Sequence, residues 1–126
     1  MRRLALGIAV LFSFAGPLEA QDLCTAVSGA TVVANDGTYL GKIAGEFAAE
    51  SIFNKFGTYG SEFSAKSIWN KFGTYGSEFS RQSPFNEFST TPPAIVKQGK
   101  VIAYLSVSKT LRGAVSPYVL KSCDFV

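Results

Sequence analysis

The chain reads as a small α+β protein dominated by β structure, with an antiparallel sheet flanking three 16-residue aromatic repeats of short helical turns. Three observations point there. Strand-turn-strand signals stand on both sides of the middle of the chain, a 16-residue unit recurs three times between them, and the composition is that of one small ordered domain. The 126 residues are 47% hydrophobic and 17% charged, too apolar for disorder and too short for two full cores.

The elements follow in chain order. Met1-Arg2-Arg3 is basic, Leu4 to Ala15 is a largely apolar run, and Gly16-Pro17 ends it before Leu18-Glu19-Ala20. This predicts a secretory signal over 1–20, cleaved before Gln21, because a run of about 20 residues is needed to cross a bilayer. Residues 21–126 then form a single domain, secreted or periplasmic, with ten positive and eight negative charges. Cys24 and Cys123 lie near its two ends, and in an oxidising compartment they are expected to pair. The alternative, two separate buried thiols, suits a reducing one. Closing a loop of that length stabilises by about 4–5 kcal/mol in the chain-entropy model.

Thr31 to Ala34, Asn35-Asp36-Gly37 and Thr38 to Leu40 read as strand, tight turn and strand, since Asn and Gly accept the positive φ of a hairpin turn. The repeat comes next. SIFNKFGTYGSEFSAK (51–66) and SIWNKFGTYGSEFSRQ (67–82) share thirteen of sixteen positions, and shifting the frame back ten residues gives three gapless units, 41–56, 57–72 and 73–88. All three units keep a Gly, a Glu (Glu46, Glu62, Glu78), a Phe (Phe47, Phe63, Phe79) and a Ser (Ser51, Ser67, Ser83). They also keep an aromatic (Phe53, Trp69, Phe85), an Asn (Asn54, Asn70, Asn86) and a final Phe (Phe56, Phe72, Phe88). Ser followed some six residues on by Gly predicts a single helical turn, capped by Ser and ended by a left-handed Gly. Stacked units are expected to bring the rings, Phe56, Phe72 and Phe88 included, into one shared core, and the Asn side chains into a row. Thr90 to Pro93 breaks the pattern. The segment 94–121 then reads as a hairpin turning at Gln98-Gly99, followed by a last strand near Val115 and Tyr118 to Leu120.

The run YGSEFSAKSIWNKFGTYGSEFS, followed by SPFNEFSTTPP and GKVIAYLSVSK, resembles small exported bacterial proteins of unknown function that carry tandem YGSxYSxxSIWN-type repeats before a Pro-Pro segment. The resemblance covers about residues 37–120. It implies export and an intact fold, and it carries over no functional residue. This chain has Phe where such repeats often have Tyr, so its middle is more apolar.

The composition removes much chemistry. Without histidine there is no Ser-His-Asp or Cys-His catalysis and no His-containing metal site, and two cysteines do not make a structural zinc site. No catalytic residue, metal or cofactor is assigned. Basic residues are scattered singly, which disfavours nucleic acid. The candidate ligand-binding residues are Tyr59, Trp69 and Tyr75, whose polar-tipped rings suit a wet platform, together with the recurring Glu46, Glu62 and Glu78. For the glutamates, a file holding calcium is weighed against capping of local turn amides, and capping is preferred. Lys55, Lys71 and Glu87 share one repeat position and so belong on the surface. The sequence therefore favours an exported, non-enzymatic binding or structural domain of the envelope or extracellular space, with an envelope polysaccharide or protein as partner. The alternatives are a carboxylate-dependent enzyme acting on envelope glycans and an inhibitor of a secreted hydrolase. No membrane span is expected after signal cleavage.

Overall fold

The structure, a computed structural model, describes residues 22–126; the expected signal segment and Gln21 lie outside them. A helical segment, α1, covers 22–27. Five strands follow: β1 (Thr31–Val33), β2 (Tyr39–Lys42), β3 (Ala94–Lys97), β4 (Lys100–Leu105) and β5 (Ala114–Val115). A second helix, α2 (Pro117–Lys121), closes the chain. The fold is α+β and sheet-dominated. The strands form one sheet in the order β2-β1-β3-β4-β5, antiparallel across the first four. The β4–β5 pair is parallel, so the sheet is mixed, where the sequence predicts a purely antiparallel one.

Both predicted hairpins form, although in the first only Gly37, and not Asn35, takes the positive φ expected of the turn. In the first, Gly37 has φ 90° and its amide donates to the Ala34 carbonyl at 2.9 Å. In the second, Gln98 and Gly99 have φ 53° and 77°, the pair of positive values that lets a two-residue turn match the strand twist. The expected last strand forms at Val115, as β5, but its Tyr118 to Leu120 part is helical, which corrects that half of the expectation. Ser116 caps α2 by accepting from the Tyr118 amide, and Pro117 fills its first position, where a missing N–H costs nothing. Aromatic and β-branched residues there mimic a strand, and the cap overrides them.

Between β2 and β3 the chain runs through successive tight turns, with no helix from 44 to 93. The Asn54 amide donates to the Ser51 carbonyl, Gly57 to Asn54, Ser61 to Gly57, Ser64 to Ser61, Ser67 to Ser64 and Asn70 to Ser67. One period is thus four steps of three residues and one of four, which makes sixteen, and the same bonds recur from Gly73 to Ser89. Ser caps turn amides as expected, but Gly57 and Gly73 lie outside the left-handed region, which corrects the expected glycine stop. The carbonyl of each corner is taken by the next corner instead.

The coil is fixed to the sheet at both ends. At the start, Lys42 bridges Ser51 in parallel, its amide donating to the Glu50 carbonyl at 2.8 Å and its carbonyl accepting from Ile52 at 2.9 Å. This covers the edge that β2 would otherwise present. At the end, the Val107 amide donates to Pro84 and the Leu105 amide to Pro93. The core sits between coil and sheet: Val27, Val32, Leu40, Ile43, Ile95, Leu105 and Leu120 join Ile52 and Ile68, all essentially without solvent exposure. Cys24 and Cys123 form a disulfide, Cα to Cα 5.7 Å, joining α1 to the residues after α2.

Candidate functional site

Each unit of the coil sorts its side chains by size. Ser51, Ser67 and Ser83 are fully buried, and the residue after each, Ile52, Ile68 or Pro84, fills the interior beside them. The Ser hydroxyls accept from the amides of Phe53, Trp69 and Phe85 at 2.9–3.0 Å, so the polar atom taken inside is bonded where it sits. Gly60 and Gly76 close the coil. A Cβ on Gly76 would stand 2.0 Å from the Asn70 carbonyl oxygen, so no larger residue fits.

The Asn side chains do not form the predicted row. Asn54, Asn70 and Asn86 each bridge within their own unit, Nδ2 donating to the carbonyls of Ala48, Ser64 and Ser80 respectively. Their Oδ1 atoms accept from the amides of Phe56, Phe72 and Phe88. Each Asn side chain thus braces its own turn and not the next coil.

The aromatics divide into two populations. Phe53, Trp69 and Phe85 stack as a ladder, with centroids 6.1 and 5.5 Å apart, extended by Phe125 on Phe53 at 6.0 Å and Tyr118 on Phe85 at 5.4 Å. The other six Phe residues point outward: Phe47, Phe63 and Phe79, and Phe56, Phe72 and Phe88, are 85% to 99% exposed. The expected shared core of Phe56, Phe72 and Phe88 is therefore overturned. The interior of so tight a coil has room for Ser, Ile, Pro and Gly but not for a phenyl ring.

The three aromatic platform candidates are held in place by the fold. Tyr59 packs edge-on against Tyr39, centroids 5.1 Å apart. Trp69 is half-buried in the ladder, its Nε1 donates to the Ile52 carbonyl at 2.6 Å, and the Lys121 ammonium lies 4.8 Å from its ring centre. The Tyr75 hydroxyl donates to Asp36 Oδ2 at 2.7 Å and lies 2.9 Å from Thr38 Oγ1, tying the third unit to the first hairpin. The Thr38 bond pulls the Tyr75 phenol down, while the Asp36 carboxylate and partial burial outweigh it, so the phenol titrates above its usual range. Tyr39 is raised too, by burial and by its 2.6 Å bond to Glu50. Asp36 is held down at about 2, first by the Thr38 amide and then by the Tyr75 hydroxyl. These bonds brace the fold.

Glu46, Glu62 and Glu78 stand exposed along the coil. The preferred capping role goes elsewhere, since the Phe63 and Phe79 amides are taken by Ser61 and Ser77. Among the described residues no group of three or more Asp, Glu, Cys or His is arranged to hold a metal ion. Lys55, Lys71 and Glu87 are exposed, as their shared repeat position predicts.

What the arrangement offers is a surface. An open trough of about 1540 Å³ runs along the coil, with Ile52, Ile68 and the ladder rings in its floor. Phe47, Phe63, Phe72 and Phe79 line it beside Glu46, Glu62, Glu78, Lys55 and Lys71. Sequence reasoning missed these Phe residues as site residues because hydrophobicity alone sends them inward. The sequence offers no clear signal for them, because a ring directly after a charged residue, as in Glu46-Phe47 or Lys71-Phe72, is also the alternation of a half-buried strand. No family model, curated protein or solved structure matches the chain.

Proposed function

We propose that this chain is an exported, non-catalytic domain of the cell envelope or extracellular space that works by association through its exposed phenylalanine files. The observation that carries this reading is six Phe side chains, 85% to 99% exposed, repeated at fixed positions of a closely braced coil. Contiguous apolar patches on soluble monomers rarely exceed a few hundred Å², and larger ones mark contact sites. Keeping six such rings in water brings no packing gain to the fold. Export is supported by the basic-then-apolar start of the sequence and by the Cys24–Cys123 disulfide, which suits an oxidising compartment. Among the described residues no helix is long and apolar enough to cross a membrane.

The test follows association in two channels, pelleting of the purified mature protein with isolated envelope fractions and its own molecular mass in solution. Phe63→Ser with Phe79→Ser is expected to abolish association in at least one channel while leaving the circular dichroism unchanged. Trp69→Phe, which keeps the ladder, is expected to leave association intact. Ring replacement that alters neither channel overturns the reading.

A further inference from the structure

We propose that the trough is the contact face of a two-fold dimer of this chain, in which the Glu-Phe file of one copy lies against the Lys-Phe file of the other. The inference rests on the association reading above and names the occupant of that surface. Its first support is area. A Phe ring carries about 150–250 Å², so the four exposed rings lining the trough approach the roughly 800 Å² that each partner contributes to a standard interface.

The second support is charge. Within 41–88, Lys42, Lys55, Lys66, Lys71 and Arg81 balance Glu46, Glu50, Glu62, Glu78 and Glu87, so the coil has no net charge, yet along the trough the signs are separated. Glu46, Glu62 and Glu78 precede one file of rings, and Lys55 and Lys71 precede the first two rings of the other, whose third, Phe88, follows Glu87 and lies outside the trough. A two-fold axis parallel to the coil, running between the two files, sets each file against its opposite twice over. An anionic lipid surface would attract the lysines and repel the adjoining glutamates, whereas a second copy satisfies both.

The third support is spacing. Both files belong to the same 16-residue unit and rise together with the stacked coils, where ladder rings are 5.5–6.1 Å apart. A ladder of rings and charges at that interval is matched along its length by another copy of itself. A two-fold arrangement closes the contact, so it stops at two copies and does not grow into a filament.

Sedimentation equilibrium of the mature, disulfide-bonded protein tests the proposal. The parent is expected to dimerise by about 100 µM. Glu62→Lys with Glu78→Lys, and separately Lys55→Glu with Lys71→Glu, are expected to weaken dimerisation by at least about tenfold, since each brings like charges together. A mixture of those two variants is expected to form a heterodimer, and a chain carrying all four changes to regain the homodimer. Melting midpoints of all variants, measured below the dimerisation range, confirm that each folds. A parent that remains a monomer at that concentration overturns the dimer, as do reversal variants that dimerise like the parent or a four-change chain that fails to recover. A monomeric parent that pellets with zwitterionic vesicles or envelope fractions in a ring-dependent way overturns the dimer alone and leaves the association reading standing.

Discussion

Ser67 shows how much a single residue of the unit carries. It is fully buried, its amide donates to the Ser64 carbonyl and its hydroxyl accepts from the Trp69 amide at 3.0 Å. Ser67→Ala leaves that amide without its acceptor and is expected to cost about 1–2 kcal/mol, read from urea midpoints. Gly76→Ala is expected to cost more, because its Cβ would meet backbone, which has no rotamer by which to yield. Asp36 makes a prediction in acid. Its folded value of about 2 lies below the ordinary 3.8. The bonds it makes therefore contribute fully above pH about 4 and are lost as the pH falls through about 2. The parent's melting midpoint is expected to drop more steeply over that window than that of Asp36→Asn. Equal slopes would show that the carboxylate does not brace the hairpin.

At the scale of elements, what could be read from the sequence depended on how narrowly each turn constrains its residues. The turns at Asn35-Asp36-Gly37 and Gln98-Gly99 were legible through Gly37 and Gly99, which take the positive φ that few other residues accept, and both hairpins formed there. The period of the repeat was legible as well. Its inside and outside were not, because the familiar guides, alternation for a strand and 3.6 for a helix, do not apply to steps of three, three, four, three and three residues. Without a geometric period, hydrophobicity decides, and it chooses Phe56 over Ser51 and Ile52 for the interior. The coil reverses that choice on grounds of room. The C-terminal element was misread for a different reason: Tyr118, Val119 and Leu120 favour a strand locally, while Ser116 and Pro117 start a helix. That helix leads to Cys123, and reducing its bond to Cys24 releases a separation of 99 residues in the unfolded chain. Reductant is expected to lower stability by about 4–5 kcal/mol, measured by urea unfolding with and without it.

For the whole molecule, the account divides the aromatic residues by task. The ladder from Phe125 through Phe53, Trp69 and Phe85 to Tyr118 joins the coil to the C-terminal helix, while the six outward Phe residues stand in solvent, and the proposed function assigns them to contact. The disulfide and the size of the domain were visible in composition and spacing. The working surface was not, because it is made of the residue type that a globular protein most often hides. The most direct test compares urea unfolding of Phe72→Ala and Ile68→Ala at concentrations where the chain is monomeric, so that lost association does not count as lost stability. Phe72→Ala is expected to unfold within about 0.5 kcal/mol of the parent, and Ile68→Ala to lose about 2–5 kcal/mol. A Phe72→Ala midpoint that falls as far as that of Ile68→Ala would return the ring to the core and contradict the account.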